Sequence, residues 1–158
     1  MNKKIKSLKT LSLIRQRLKK EKKRVVFTNG CFDILHRGHI TYLRKAKAYG
    51  DVLIVGLNRD GSVRRLKGPT RPIMCEADRA EVMSELESID YIVLFSDDTP
   101  LKVVTALKPD VLVKGSDWSL EKIVGKTVLD SYGGVVKRVT LVQGKSTSNL
   151  IKKMQKHG

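Results

Sequence analysis

Only two of the 158 residues are cysteine, Cys31 and Cys75, and they form no CxxC pair. A disulfide framework or a structural zinc site is therefore not expected. Aromatic residues make up 5% of the chain, too few to suggest stacking platforms, and no nucleic-acid-binding module is legible. No apolar run approaches the roughly 20 residues needed to cross a bilayer. Lys3 and Lys4 are not followed by the apolar core of a signal peptide, so we read the chain as cytoplasmic. Acids are scarce too: 16 Asp and Glu stand against 32 Lys and Arg, for a formal net charge of +16.

That excess is uneven. Residues 1–24 hold eleven Lys and Arg and one acid, whereas the rest holds 21 against 15. A basic arm of this kind can serve nucleic acid or anionic lipid. The plainer account, preferred here, is a solvated helix face that also draws in anionic substrates. Neither a membrane nor a nucleic acid is expected as partner.

What the chain does have is 41% hydrophobic residues, patterned as alternating strands and helices. Ile5, Leu8, Leu11, Ile14 and Leu18 predict an amphipathic helix over 5–22, packed on the domain or on a partner subunit. Strands are expected at 24–28, 52–57, 91–95, 110–113 and 135–142. The intervening helices are expected to run from the region of His39 to Tyr49, then over 75–88, from Pro100 to Lys108, and over 125–132 and 148–156. In the helix over 75–88, Ala77, Ala80, Val82, Met83 and Leu86 form the expected buried side, and Arg79 reads as a structural ion pair. Pro69 and Pro72 mark the basic segment Arg64, Arg65, Lys67 as a loop. This order predicts an α/β domain with a doubly wound, parallel, five-stranded sheet over 24–158, preceded by the basic helix at 1–23.

The chemistry centres on Arg24–His39, RVVFTNGCFDILHRGH. Val25, Val26 and Phe27 read as a buried strand, broken by Asn29 and Gly30. His36 and His39 then lie three apart around Gly38, on one side of a helix's first turn. Unpaired N–H groups and a partial positive charge make such a terminus a phosphate site, and Gly38 leaves room for a phosphate to approach. The pair would otherwise be metal ligands or ordinary surface residues, and no further ligand lies close by. A second phosphate site is suggested by Gly144-Lys145-Ser146-Thr147-Ser148, where hydroxyls precede the last helix; these residues are also good N-caps. Lys114-Gly115-Ser116-Asp117-Trp118 follows the fourth strand, where open parallel sheets bind ligands.

GCFDILHRGH resembles the HxGH signature of the nucleotidyltransferase superfamily, and GKSTS resembles its second signature. TNGCFDILHRGH, SVRRLKGPTRPI, ALKPDVLVKGSDW, YGGVV and GKSTSNLI are together most similar to the heptose 1-phosphate adenylyltransferases. The resemblance implies a Rossmann-like fold. It also implies transfer of AMP from ATP to D-glycero-β-D-manno-heptose 1-phosphate, giving ADP-heptose and pyrophosphate for lipopolysaccharide core or other surface glycans. His36, His39 and Lys47 would be catalytic. Gly30, Cys31, Phe32, Asp33, Gly38, Lys114, Gly115, Asp117, Ser146, Thr147 and Ser148 would bind ATP, and Asp33, Lys67 and Trp118 the sugar phosphate. Asp33 could instead orient a histidine, Lys47 could be an exposed lysine, and Trp118 a core plug. The resemblance implies no protein metal ligands, with Mg²⁺ held mainly by the ATP phosphates. It also implies a homo-oligomer, a dimer or higher.

This family's domain is often fused to a sugar kinase for which these 158 residues leave no room, so a stand-alone transferase is expected. The alternatives are a cytidylyltransferase acting on glycerol 3-phosphate or a similar small phosphate, and a basic nucleic-acid-binding module. Leu141-Val142-Gln143-Gly144 lacks the Arg that glycerol-phosphate cytidylyltransferases carry there, which argues against the first.

Overall fold

The computed structural model describes residues 2–158. Five strands form one parallel sheet: β1 (Val25–Gly30), β2 (Val52–Asn58), β3 (Tyr91–Phe95), β4 (Val111–Gly115) and β5 (Val135–Val139). Their spatial order is β3-β2-β1-β4-β5. The chain winds outward from β1 through β2 to β3, then returns to place β4 on the other side of β1. The order therefore reverses between β1 and β4, as the doubly wound reading requires.

Strands β1 to β4 are largely buried, their side chains alternating between the two faces, while edge strand β5 buries only Val139 fully. Val26, Leu53, Val55, Val111 and Val113 pack in a core with Leu43 and Ala46 of helix α2 (Arg37–Lys47) and Met83 of α4 (Glu76–Ser84). Val25, Phe27, Ile54 and Leu112 point the other way, into a core with Leu11 and Leu18 of α1 (Leu8–Lys20), Val104 and Leu107 of α5 (Leu101–Leu107) and Leu129 of α6 (Lys126–Asp130). The basic N-terminal helix thus shares one of the domain's two cores. Helix α7 (Thr147–Lys156) closes the chain.

Three local expectations are corrected. Helix α1 begins at Leu8, not Ile5, because the Ser7 hydroxyl accepts from the Thr10 N–H and caps it there. Ile5, after a turn at residues 3–4, forms a parallel bridge to Ile92 instead: the Ile92 N–H donates to the Lys4 carbonyl and the Lys6 N–H to that of Ile92, covering the open edge of β3. Residues 60–67 are a helix, α3 (Asp60–Lys67), not a loop. Pro69 and Pro72 forbid helix only beyond Gly68, which ends α3 at φ 106°. In α4, Ala77 and Val82 are exposed, and the buried side is Arg79, Ala80, Met83 and Ser84.

Arg79 is structural, as its position on the helix suggested. Its side chain is fully buried, and its guanidinium binds the Asp60 carboxylate at 2.7 Å, the Met74 carbonyl at 3.0 Å and the Cys31 carbonyl. It ties α3, α4 and the turn after β1 together. Replacing Arg79 with Met should leave these acceptors unpaired and cost about 3–5 kcal/mol. Urea unfolding of Arg79→Met should show a midpoint lowered by a large part of the domain's stability.

Candidate active site

The β1–β4 ladder runs only through Val26–Val111 and Phe27–Leu112. Beyond it, the Val113 carbonyl accepts from the hydroxyls of Thr28 at 2.9 Å and Tyr42 at 3.1 Å. Side chains replace the neighbouring strand, and a cleft of about 590 Å³ opens at the strands' C-terminal ends. That volume suits a small-molecule ligand.

The β1 strand delivers Asn29 and Gly30 to this cleft, and a turn leads on to α2. A Cβ at Gly30 would lie 2.9 Å from the Phe32 ring. Phe32 itself adopts the left-handed conformation at φ 43°, a strained state for an aromatic residue, and packs edge-on against His39 with centroids 5.3 Å apart. His36 is the N-cap of α2 rather than part of its first turn; its Nδ1 accepts from the Gly38 N–H at 3.0 Å. In the neutral ring the proton is then on Nε2.

The two imidazoles are stacked, with centroids 3.9 Å apart and planes 26° apart. Burial pushes the His39 pKa down to about 4, and the neighbouring His36 adds to this. Burial also lowers His36, assisted by the Lys145 cation. Both rings are therefore neutral at pH 7 and act as hydrogen-bond donors and acceptors. His39 Nδ1 and Asn29 Oδ1 are buried without a partner. Gly38 lines the cleft, and a Cβ there would lie 2.8 Å from the His36 ring and 3.1 Å from the Lys145 Cβ, so the position has no room for a side chain.

The second signature meets the first. Ser146 caps α7 by accepting from the Asn149 N–H at 3.1 Å, and the Thr147 hydroxyl donates to the Ile34 carbonyl at 3.2 Å. The start of α7 is thus fastened to the turn that leads into α2. Ser146, Thr147 and Ser148 line the cleft with Lys145.

From β4 come Lys114, Gly115 and Asp117. Burial lowers the Lys114 pKa to about 8, against the opposing pull of Asp117, and its ammonium lies 5.5 Å from the Trp118 ring centroid. A Cβ on Gly115 would collide with the Asp117 carboxylate. Trp118 is 47% exposed and lines the cleft, so it is no core plug. Lys67 reaches the cleft from the end of α3. Cys31 lines it as a thiol, since burial pushes its pKa up despite Lys67, Arg79 and Arg71.

Lys47 is corrected as a cleft residue, and for Asp33, which lines the cleft, one of its alternative roles falls away. Lys47 lies at the far end of α2, where its ammonium binds the Asp90 carboxylate and the Asp51 carbonyl. Two helical turns carried it out of the cleft. Asp33 neither orients a histidine nor keeps a free carboxylate. It accepts from Arg71 Nε at 2.7 Å and from the backbone N–H groups of Ile73 and Met74. Burial pushes its pKa up, but these donors prevail and hold it below the usual carboxylate range. Asp33 therefore holds residues 71–74 beside the cleft.

Twelve of the lining residues are not assigned to the site by the sequence, the polar Asn29, Tyr42, Arg71 and Lys145 among them. The signal for Lys145 was present, since it stands inside the GKSTS segment.

The histidine burial has a pH consequence. The unfolded chain protonates His39 near its ordinary 6.5, while the folded protein resists to about 4. The stability this contributes is full above pH 6.5 and is lost as pH falls from there toward 4. Unfolding midpoints in urea should decline over that interval, and His39→Gln should flatten the decline.

Residues 27–156 match the model of the family described as cytidylyltransferase-like. The Bifunctional protein HldE of Geotalea uraniireducens is 54% identical over 152 residues, which cover 96% of this chain and 31% of that protein. HldE of Geobacter metallireducens is 56% identical with the same coverages. The chain thus spans about a third of the length of these curated relatives. Among solved structures, the lipopolysaccharide core biosynthesis protein from Thermoplasma volcanium superposes with a TM-score of 0.63 at 34% identity, covering 78% of this chain and 99% of that one. Pantoate-beta-alanine ligase from Francisella tularensis, solved with beta-gamma ATP and beta-alanine, has a TM-score of 0.63 at 16% identity; it covers 96% of this chain and 78% of its own, and shares the fold. On the family match and these relatives together, the chain belongs to the cytidylyltransferase-like family.

Proposed function

We propose that this chain is a cytoplasmic adenylyltransferase that transfers AMP from ATP to D-glycero-β-D-manno-heptose 1-phosphate, giving ADP-heptose and pyrophosphate. One observation carries the transferase reading: the stacked His36–His39 pair and the start of α7 share one cleft, with Lys145 packed between them. The 34% identity to a protein titled for lipopolysaccharide core biosynthesis supports the sugar. The motifs shared with heptose 1-phosphate adenylyltransferases support ATP over CTP.

In this reading a phosphate oxygen of the sugar attacks the α-phosphorus of ATP in line. The bond from that phosphorus to the bridging oxygen of the β-phosphate breaks, and pyrophosphate leaves with the electron pair. The acceptor is already an anion, so the protein need supply only position and countercharge. His36 and His39 donate N–H bonds to the phosphoryl oxygens as charge develops. Lys145 and the N–H groups at the start of α7 hold the β- and γ-phosphates. Lys114, Asp117 and Trp118 face the nucleoside or sugar, and Lys67 the sugar phosphate. Mg²⁺ would neutralise the phosphates, held chiefly by them and by water. The exposed Met154 on α7 fits an oligomer.

Pyrophosphate release should require ATP with heptose 1-phosphate, and CTP with glycerol 3-phosphate should give none. The reverse would place the chain on the cytidylyltransferase branch. His36→Ala and His39→Ala should each lower kcat by about 10²–10³-fold, as loss of one oxyanion donor does elsewhere. Lys145→Met should also slow turnover, whereas Lys47→Met should lower the melting temperature and leave kcat within about twofold.

A further inference from the structure

At the opposite edge of the sheet, beside the N-terminal ends of β1 and β5, lies a second recess of about 360 Å³. Lys19, Lys22, Lys23 and Arg24 line one side, and Gly133 and Gly134 the other. It stands about 20 Å from the active site, the length of the six residues from Arg24 to Gly30 at about 3.3 Å each. None of these four cations forms an ion pair among the described residues. One carboxylate, Asp110, is present, but it is already occupied by Arg15 at 3.2 Å and the Val25 N–H at 2.8 Å. Tyr132 forms a wall with its hydroxyl bound to the Pro109 carbonyl. The recess therefore carries four exposed positive charges without an ion-pair partner, beside Gly133, where a side chain would meet nothing within 4 Å.

The backbone supplies an independent sign. Helix α1 ends with the Lys23 N–H bound to the Leu18 carbonyl at 2.9 Å and the Lys22 N–H to that of Lys19 at 3.1 Å. This is a Schellman cap, whose left-handed position glycine ordinarily fills. Here it is Lys22, at φ 56°. Three non-glycine residues among those described have positive φ. Phe32 lines the cleft, Lys22 lines this recess, and Lys108 ends α5, its carbonyl accepting from Arg15. A lysine held where glycine is easier marks a position kept for its charge. Helix dipoles account for one or two basic residues in a last turn, not for five among residues 19–24.

We propose that this recess binds a compact polyphosphate, inorganic or carried by a nucleotide, at a site separate from the catalytic cleft. A concave pocket of this size fits clustered phosphates, whereas a nucleic acid calls for an extended track with exposed aromatics for stacking. The one aromatic ring that lines it, Tyr132, is partly buried against the core.

The test is a titration of the ¹⁵N-labelled full chain with inorganic tripolyphosphate at about 0.15 M salt. The amide resonances of Lys22, Lys23, Arg24, Gly133 and Gly134 should shift together and saturate, independently of those of Gly30 and Gly115 in the cleft. Lys19→Gln with Lys23→Gln should weaken the recess response about tenfold or more and leave the cleft response unchanged. Lys22→Gly should weaken binding while raising the melting temperature. A parallel titration with ATP tells inorganic from nucleotide phosphate, and saturation by either supports the site. Shifts that never saturate, or that sulfate reproduces at equal ionic strength, would overturn it. So would tighter binding of a DNA duplex to the same residues, or a Lys22→Gly protein that gains stability with no loss of affinity.

Discussion

The structure turns on one carbonyl, that of Val113. In an unbroken sheet it would accept from the adjacent strand. Here the ladder between β1 and β4 stops after Phe27 and Leu112, and Thr28 and Tyr42 supply the missing donors. A buried carbonyl left unpaired would cost about 1–3 kcal/mol. Two hydroxyls remove that cost and let the strands part where the winding direction changes. Everything that faces the cleft follows from the parting. Asn29 and Gly30 emerge on one side, Lys114 and Gly115 on the other, and the starts of α2 and α7 converge across the gap.

The side chains lining the cleft carry unbalanced charge. Lys67, Lys114 and Lys145 project into it, while Asp33 is bound by Arg71 and Asp98 by Arg65. Two stacked imidazoles among these cations stay neutral. An incoming triphosphate changes every term at once: it compensates the lysines and favours charge on the histidines. The site is thus prepared for an anion by groups fixed in advance, which is the economical way to stabilise charge that develops during a reaction.

Much of this was legible in the sequence, for identifiable reasons. Strand–helix alternation with strong apolar runs gave the parallel sheet, and glycine and hydroxyl residues at strand ends gave both phosphate motifs. The errors came where a local rule met a tertiary partner. Lys47 shares a helix face with His39, but Asp90, 43 residues away, captures its ammonium. Asp33 reads equally as a ligand contact or as a partner for a histidine, because nothing local shows that Ile73 and Met74 bring their N–H groups to it. Pro69 and Pro72 do not forbid the helix at 60–67, because proline constrains the backbone of itself and of the residue before it. Lys145 was visible in its motif but passed over, since its neighbours' hydroxyls carried the resemblance.

The central claim is that the starts of α2 and α7 together hold a triphosphate. A crystal structure with Mg²⁺ and α,β-methylene-ATP, whose carbon bridge blocks transfer, tests it directly. The account predicts phosphates bracketed by His36, His39 and Lys145, lying on the N–H groups at the start of α7. A triphosphate bound elsewhere, with these groups untouched, would contradict it.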